Sequence, residues 1–344
     1  MKLKKLLVMI VSLVLAASVM VGCGATAYNI PIVCGETGMN DVAGVATYGV
    51  DYYNLGVQAG DMAADILLDG EDVSTMAVGG DPNPALSINE TVATQIGFTI
   101  PDAVKDAATG GQTQTVTRVD SAIVESGADY TIGILQLVQH VALDLTNEGF
   151  KDQLSVRMDA ANKTVKILDQ NAAGDQSNNM TIASNFVSQD VDLIYAIATS
   201  SAQAAKTATE DTDIPVLFNA VTNPVDAGLV DSLTAPGGNV SGVSDMNPVE
   251  AQIELIRELT GKETIKVGLL YTSAEVNSQY QVSIAKAYCE EKGYTYVEKG
   301  IGDLNDIEAA FITLSQAGVD AIYIPTDNAL ASGIANVHSV NIGK

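Results

Sequence analysis

The sequence contains no tryptophan, five phenylalanines, three cysteines and two histidines. Basic residues are also scarce, because 17 lysines and arginines stand against 42 aspartates and glutamates, for a formal net charge of −25. So acidic a chain repels phosphate backbones, which argues against nucleic acid as a partner. A hydrophobic fraction of 47% in 344 residues indicates a folded chain that is long enough for two domains.

The few cysteines and histidines exclude several kinds of site. Cys34 and Cys289 have no CxxC or Cys/His pattern around them, so we expect buried thiols that pack as small apolar side chains. His140 and His338 have no Ser/Asp or metal-ligand pattern beside them. The sequence also has no GxSxG, HExxH or P-loop motif and no GxGxxG after a strand. We therefore expect no catalytic residue, no metal and no cofactor.

Residues 1–22 have the pattern of a targeting segment. A basic start, MKLKK, is followed by the apolar run LLVMIVSLVLAASVMV, which is slightly short of the roughly 20 residues that span a bilayer. The next residues, with Gly22 before Cys23, resemble the signal of bacterial lipoproteins, although Leu is more usual at the position of Met20. The resemblance implies a signal peptide over 1–22, a lipidated Cys23 and a protein anchored at the extracytoplasmic face of the cell membrane. An uncleaved signal anchor is the alternative.

An internal repeat is the strongest pattern in the remaining chain. Residues 131–230 alternate strands and helices through four units, beginning with TIGILQL, and residues 264–344 repeat the first three units from TIKVGLLYTSAEV. The unit that would come fourth, NIPIVCGETGMNDVAGVATYGVD, lies upstream at 29–51. The strands are rich in Val, Ile and Leu with little alternation, which is typical of parallel sheets covered on both faces. The sequence therefore predicts two doubly wound α/β lobes and a rotated chain order.

From Tyr130 onward the sequence resembles the ABC-transporter substrate-binding lipoproteins of the tryptophan or aromatic amino-acid type. The resemblance rests on GILQLVQHVALD (133–144), QNAAGDQSNNMTIASNFVSQDVDLIYAIATSSAQAA (170–205), AVTNPVDAGLV (220–230), PGGNVSGVSDMNPVEAQIELI (236–256), YIPTDNALASGI (323–334) and, displaced, IPIVCGETGMNDVAGVATYGVDYYNLGVQAGD (30–61). It implies the type I periplasmic-binding-protein fold, in which two Rossmann-like lobes close about a hinge. The family order runs 130→344 and then 29→100, so this chain is circularly permuted by comparison, or its order is an artefact of gene assembly.

The resemblance also implies the division of the chain. Lobe 1 is expected to contain residues 130–241 plus 52–69, and lobe 2 residues 243–344 plus 29–49 and 84–100. The polar stretch 101–129 is expected to be a linker. The crossovers between lobes are expected near Val50, near Gly242 and within 71–83.

Ligands of open α/β sheets lie beyond the carboxyl ends of the strands. The residues that follow the predicted strands carry hydroxyls, amides and carboxylates, and no Lys or Arg stands among them. Such a set suits a zwitterion, with a carboxylate at a helix start and an ammonium on an acidic side chain. The candidate ligand-binding residues are Glu36, Gln136, His140, Thr199, Ser200, Ser201, Thr222, Asp245, Tyr271, Asn277 and Asp327.

Several of these residues have purely structural alternatives. Ser200, Asp245 and Asp327 stand where side chains cap helices, and His140 stands at a helix start. Tyr271 and His140 are the candidates for stacking on an aromatic ligand.

The resemblance predicts a solute receptor that delivers a small ligand, with an aromatic amino acid favoured, to an ABC permease. A ligand-sensing receptor component with the same fold is the alternative, and an α/β enzyme is a third hypothesis that no motif supports.

Overall fold

The computed structural model describes residues 26–108 and 115–344. Eleven strands within these residues form two sheets. The strands are β1 (Ile32–Cys34), β2 (Ala46–Gly49), β3 (Ala85–Ile88), β4 (Tyr130–Gln136), β5 (Val165–Asn171), β6 (Leu193–Ile197), β7 (Val216–Asn219), β8 (Val240–Gly242), β9 (Lys266–Thr272), β10 (Thr295–Ile301) and β11 (Ala321–Ile324). The predicted signal peptide and Cys23 lie outside the described residues.

Five strands of each sheet follow the same order, and the second sheet has a sixth strand, β3, at one edge. One sheet is β5-β4-β6-β7-β8, and the other is β10-β9-β11-β1-β2-β3. Every pairing is parallel except that of β2 with β3. When β1 and β2 are counted as the fourth and fifth strands after β9, β10 and β11, both sheets read second, first, third, fourth, fifth. This is the doubly wound α/β arrangement that the repeat predicts.

Helices cover both faces of each sheet. Within the described residues they are α1 (Thr37–Val42), α2 (Tyr52–Ala64), α3 (Glu90–Gln95), α4 (Asp102–Ala107), α5 (Val141–Ala160), α6 (Gln176–Ser188), α7 (Thr199–Ala208), α8 (Val249–Thr260), α9 (Val276–Lys292), α10 (Ile307–Gln316), α11 (Asn328–Ser332) and α12 (Ile334–Ile342). The strand interiors are apolar and buried, and each sheet has a hydrophobic core on each of its faces. Lobe 1 consists of the five-stranded sheet with its helices, and lobe 2 of the six-stranded sheet with its helices.

The second helix, α2, packs on lobe 1 although it follows β2 of lobe 2. Two glycines permit the contact, because the α2 and α5 backbones approach too closely for side chains. A Cβ on Gly56 would lie 2.2 Å from the carbonyl oxygen of Thr146, and one on Gly149 would lie 2.2 Å from that of Tyr53. The close packing places the start of α2, just after the crossover from β2, beside lobe 1.

The residues just before β1 contact α12, although Ile30 and Asn341 are 311 positions apart in the sequence. Asn341, in α12, accepts from the backbone N–H groups of Tyr28 and Asn29 through its carbonyl oxygen. Its side chain accepts from Ile30 N at 2.9 Å and donates to Ile30 O at 2.8 Å. Beyond this contact, Ile32 lies in register with Ile322 in the adjacent strand. The upstream strand β1 is therefore inserted beside the last strand of the second repeat.

The predicted linker over 101–129 contains more structure than a linker requires. It begins with α4, whose Val104 is buried in the core of lobe 2. Its later part lies on lobe 1, where Val119 N donates to Ser155 Oγ at 2.9 Å and Ala122 is buried. The polar composition concealed these two anchor points because each depends on one small apolar side chain.

The structure also describes two of the three cysteines and the hydropathy of the helices. Cys34 and Cys289 are unpaired and buried, as expected of thiols that act as small apolar residues. Among the described helices, none has the length and hydropathy needed to cross a membrane.

Candidate functional site

The carboxyl ends of the strands of the two sheets face one another across a closed cleft. His140, from lobe 1, places Nε2 3.2 Å from Oδ1 of Asn328 in lobe 2. Deeper in the cleft, Nε2 of Gln281 in α9 lies 3.5 Å from Oγ1 of Thr222, which follows β7. The structure therefore brings the predicted edges of both lobes together.

Asp245 lies at the centre of the cleft, just after the crossover that follows β8. Its side chain is 1% exposed. Oδ2 accepts a 2.8 Å hydrogen bond from the hydroxyl of Tyr52, and Oδ1 accepts one of 3.2 Å from Thr222 Oγ1. Burial raises the pKa of the Asp245 carboxyl to about 6, while these hydroxyl donors hold it down. The carboxylate is thus oriented by neutral donors.

Glu36 is a second buried carboxylate, at the start of α1 in lobe 2. Its oxygens accept from the backbone N–H groups of Gly38 at 2.5 Å and Met39 at 2.6 Å, so the side chain caps the helix. Burial raises the pKa of Glu36 to about 7, the two backbone bonds lower it, and the charge of Asp245 adds to the rise. In the described part of the chain, no salt bridge reaches either carboxylate. The cleft therefore holds negative charge that no protein cation balances.

The start of α7 offers the opposite polarity. Thr199 and Ser201 are buried there, whereas Ser200 is partly exposed. Within the described residues no side chain caps this helix, because Ala198 occupies the N-cap position. The Ser201 hydroxyl donates to Oδ1 of Asn179 instead. The first-turn N–H groups of α7 are therefore free to bind an anion at the positive end of the helix dipole.

The backbone at this point is strained. Ala198 has φ 83° and ψ 158°, a conformation that is almost restricted to glycine and costs about 1–3 kcal/mol. The strained residue links the end of β6 directly to the first turn of α7.

Asp327 and Asn277 support lobe 2 from within. Asp327 accepts from the backbone N–H and hydroxyl of Thr272 at 2.6 and 2.8 Å, from Ser278 at 2.9 Å and from the N–H of Leu330 at 2.9 Å. Burial, and then the charge of Glu275, raise its pKa. Asn277 donates to the carbonyl of Thr326 at 2.9 Å. Both side chains are satisfied by lobe 2 itself, which agrees with a capping role for Asp327.

The structure does not bring Gln136 and Tyr271 into this cluster. Gln136 donates to Asp144 at 2.7 Å and lines a lateral groove of about 610 Å³ between α5 and β5. Tyr271 lines a separate groove of about 370 Å³ against α9, beside Lys286. Of the two candidates for stacking on an aromatic ligand, only His140 reaches the cleft, and it does so at the contact with Asn328.

Sequence reasoning missed two residues of the cluster, Tyr52 and Gln281. Tyr52 is 2% exposed, begins α2 and holds Asp245. The signal was its place directly after the crossover predicted near Val50. Gln281 is wholly buried, and its Oε1 accepts from the Thr326 N–H at 3.1 Å. The available signal was the position of Gln281, an amide side chain in the second turn of the helix that follows the end of β9.

No group of three or more His, Cys, Asp or Glu side chains within residues 26–108 and 115–344 is arranged to hold a metal ion.

Several known proteins are similar to this chain in sequence and in fold. The tyrosine-binding protein of Clostridioides difficile is 44% identical over 216 residues, which are 63% of this chain and 61% of that protein. This chain therefore spans less than two thirds of that relative's length. A crystal structure of an ABC domain in complex with L-Trp from Streptococcus pneumoniae is 42% identical, with a TM-score of 0.55 over 61% of this chain and 70% of that one. A conserved domain protein from Vibrio cholerae is 32% identical, also with a TM-score of 0.55, over 61% of this chain and 71% of that one.

The family model for ABC transporter substrate binding proteins matches residues 2–111 and 131–343, nearly the whole sequence. Two lobes of doubly wound topology, closed over buried polar groups, are the architecture expected of a solute receptor. On the fold, the cleft and the extent of the match, the chain belongs to the ABC transporter substrate binding protein family.

Proposed function

We propose that this protein captures an amino acid with an aromatic side chain between its lobes and delivers it to an ABC permease, without chemistry of its own. The observation that carries the proposal is the pair of buried carboxylates, Glu36 and Asp245, together with the uncapped start of α7, which follows the end of β6. A zwitterion satisfies both features at once.

The ammonium group is assigned to the carboxylates. Asp245 is held by Tyr52 and Thr222 in an orientation that leaves acceptor capacity on each oxygen. A charge-assisted bond to an ammonium is about twice as strong as a neutral hydrogen bond. A ligand cation would also offset the repulsion between Asp245 and Glu36, which burial makes costly.

The ligand carboxylate is assigned to the first turn of α7, at Thr199, Ser200 and Ser201. A helix start contributes about 0.3–1 kcal/mol of charge stabilisation in addition to its hydrogen bonds. The absence of Lys and Arg from the predicted strand ends disfavours a phosphorylated or dianionic ligand.

The aromatic side chain is proposed from the relatives. One is named for binding tyrosine, and a second was crystallised with L-Trp.

The place of action follows the family, whose members work outside the cytoplasm. We propose that the protein is anchored there through a lipid on Cys23, as the leader sequence suggests. Mass spectrometry of membrane-extracted protein tests this: a diacylglyceryl mass on the first peptide after residue 22 supports it, and an intact peptide spanning Gly22 and Cys23 contradicts it.

We further propose that the chain order is rotated relative to the family. Support comes from the position of β1 between β11 and β2, and from the family match in two segments, 2–111 and 131–343. A reordered chain, running 130–344 and then 26–100, should have the same ligand affinity. Loss of folding on reordering would contradict the rotation.

A thermal-shift series with the twenty amino acids tests the function. A ligand that binds only the folded state adds about 2.7 kcal/mol of stability at 100 times its Kd. We expect tryptophan, tyrosine or phenylalanine to raise the midpoint most. A cooperative transition that no amino acid shifts would contradict the proposal.

A further inference from the structure

One polar chain joins the two lobes at the mouth of the cleft, apart from the carboxylates assigned to the ligand. It begins at His140, the N-cap residue of α5 in lobe 1, whose Nε2 lies 3.2 Å from Asn328 Oδ1. Asn328 is held in turn by Glu275, which precedes α9: its backbone N–H and its Nδ2 both donate to Glu275 Oε2, at 2.9 and 2.8 Å. All three residues belong to the protein, and none of them is among the groups assigned to the ligand ammonium or carboxylate.

The hydrogen bonds fix the direction of this chain. Because Nδ2 of Asn328 donates to Glu275, Oδ1 is the atom that faces His140, and a carbonyl oxygen can only accept. Nε2 of His140 is therefore the protonated ring nitrogen. Nδ1 is buried and has no partner among the described residues, so the neutral imidazole fits the site and a second N–H does not.

Tight packing accompanies the polar contact. The side chain of Val141, the first residue of α5, reaches lobe 2 at Gly38 in α1. A Cβ placed on Gly38 would lie 3.0 Å from the Cβ of Val141. Small displacements of one lobe would thus break both the packing and the hydrogen bond together.

We propose that His140, Asn328 and Glu275 form a latch that stabilises the closed arrangement of the two lobes, both without a ligand and with one. The latch sets the fraction of closed molecules and, through it, the affinity for the ligand; this second part rests on the proposed function. His140 is then a positioning residue rather than a ligand contact.

The latch is sensitive to pH. Three groups face the imidazole: Asp144 from its own helix, and Asn328 and Glu275 from lobe 2. The carboxylates and the Asn328 hydrogen bond favour the imidazolium, but burial outweighs them and lowers the pKa of His140 in the closed form. Opening returns the ring to water and to its ordinary pKa near 6.5. The contribution of the latch is therefore present above about pH 6.5 and is lost as the pH falls through this region.

The test combines two readouts on purified protein. Small-angle X-ray scattering without added ligand measures the radius of gyration at pH 7.5 and 5.5. Calorimetric titration with L-tryptophan and L-tyrosine measures Kd at the same two pH values. The variants are His140→Ala, Asn328→Ala and the double variant. The matched control is His338→Ala, which removes the second histidine of the chain, in α12 of lobe 2.

The latch predicts a larger radius of gyration for both single variants than for the wild type at pH 7.5, with the double variant no larger than either. Each variant should weaken ligand binding about two- to tenfold, the usual range for one hydrogen bond, without additivity in the double variant. The wild type should expand at pH 5.5, whereas His140→Ala should not change further. His338→Ala should behave as the wild type.

Unchanged scattering in His140→Ala and Asn328→Ala at pH 7.5 would overturn the latch even if the ligand binds normally. If neither amino acid binds but the scattering changes as expected, the latch stands and the proposed function fails.

Discussion

Tyr52 and Asp245 are 193 positions apart, yet the hydroxyl of Tyr52 donates a 2.8 Å hydrogen bond to Oδ2 of Asp245. Each residue lies just after a crossover between the lobes. Close by, Val50 N donates to the Asn247 side chain at 3.0 Å, so the two crossovers are linked directly. The hinge therefore positions the acidic group that we assign to the ligand ammonium.

Asp245→Asn should weaken binding of the aromatic amino acid about 10- to 100-fold, because a hydrogen bond to a charged group contributes about 1.5–3 kcal/mol. The amide has nearly the same shape, but its single oxygen keeps only one of the two hydrogen bonds from Tyr52 and Thr222, and its NH2 group would face the other hydroxyl. Isothermal titration calorimetry measures the loss. Asp169→Asn is the control, since that carboxylate pairs with Lys151 on lobe 1 and should leave Kd unchanged. Equal affinity in wild type and Asp245→Asn would remove this residue from the site.

The buried carboxylates should make stability and affinity respond to pH in opposite directions. Glu36 binds its proton more tightly when folded, so its contribution to the stability of the ligand-free protein is present at low pH. That contribution is lost as the pH rises from about 4.5 to about 7.

Ligand binding favours the ionised carboxylate, so Kd should rise as the pH falls from 7.5 to 5.5, by up to about tenfold per pH unit for each proton displaced. Titration in two buffers of different ionisation enthalpy reports the proton released on binding. Glu36→Gln should flatten the pH profile and reduce that release. An unaltered profile would show that another group carries the proton.

Ala198→Gly should stabilise the protein. Glycine adopts the observed φ of 83° without the Cβ penalty, and this relief exceeds the entropy that glycine loses on folding, for a gain of about 1 kcal/mol. Urea unfolding measures the change. Ala202→Gly, inside α7, is the matched comparison and should cost about 1 kcal/mol. Destabilisation of equal size in both variants would show that Ala198 is not strained.

Asn341→Ala should destabilise the protein by about 2 kcal/mol or more, because it leaves the buried N–H and carbonyl of Ile30 unpaired. The exposed Asn336 lies on the same helix, and Asn336→Ala should have little effect. Chemical denaturation of the two variants compares them. Similar stability would mean that the contact between α12 and the strand β1 contributes little to lobe 2.

The fold was accessible from the sequence because it depends on long apolar runs. Strands such as β4 (YTIGILQ) and β6 (LIYAI) have buried apolar interiors rich in Ile and Leu, and their repeated spacing predicted both sheets. The direction of single side chains was less accessible. At the end of β9, Thr272 reaches Asp327 in lobe 2, whereas its neighbour Tyr271 points to the outer groove.

Successive residues of a strand face opposite sides, so an error of one position moves a side chain out of the site. Tyr52 was missed for another reason. Its partner Asp245 is remote in sequence, and a buried tyrosine at a helix start has the same local pattern as an ordinary core residue.

The most direct test of the account compares three ligands by isothermal titration calorimetry: L-tryptophan, tryptamine, which lacks the carboxylate, and indole-3-propionate, which lacks the ammonium. If the zwitterion is held between the carboxylates and the start of α7, L-tryptophan should bind at least about 100-fold more tightly than either analogue, a difference of about 2.7 kcal/mol. Equal affinity for all three ligands, or tighter binding of an analogue, would contradict the assignment of both charged groups.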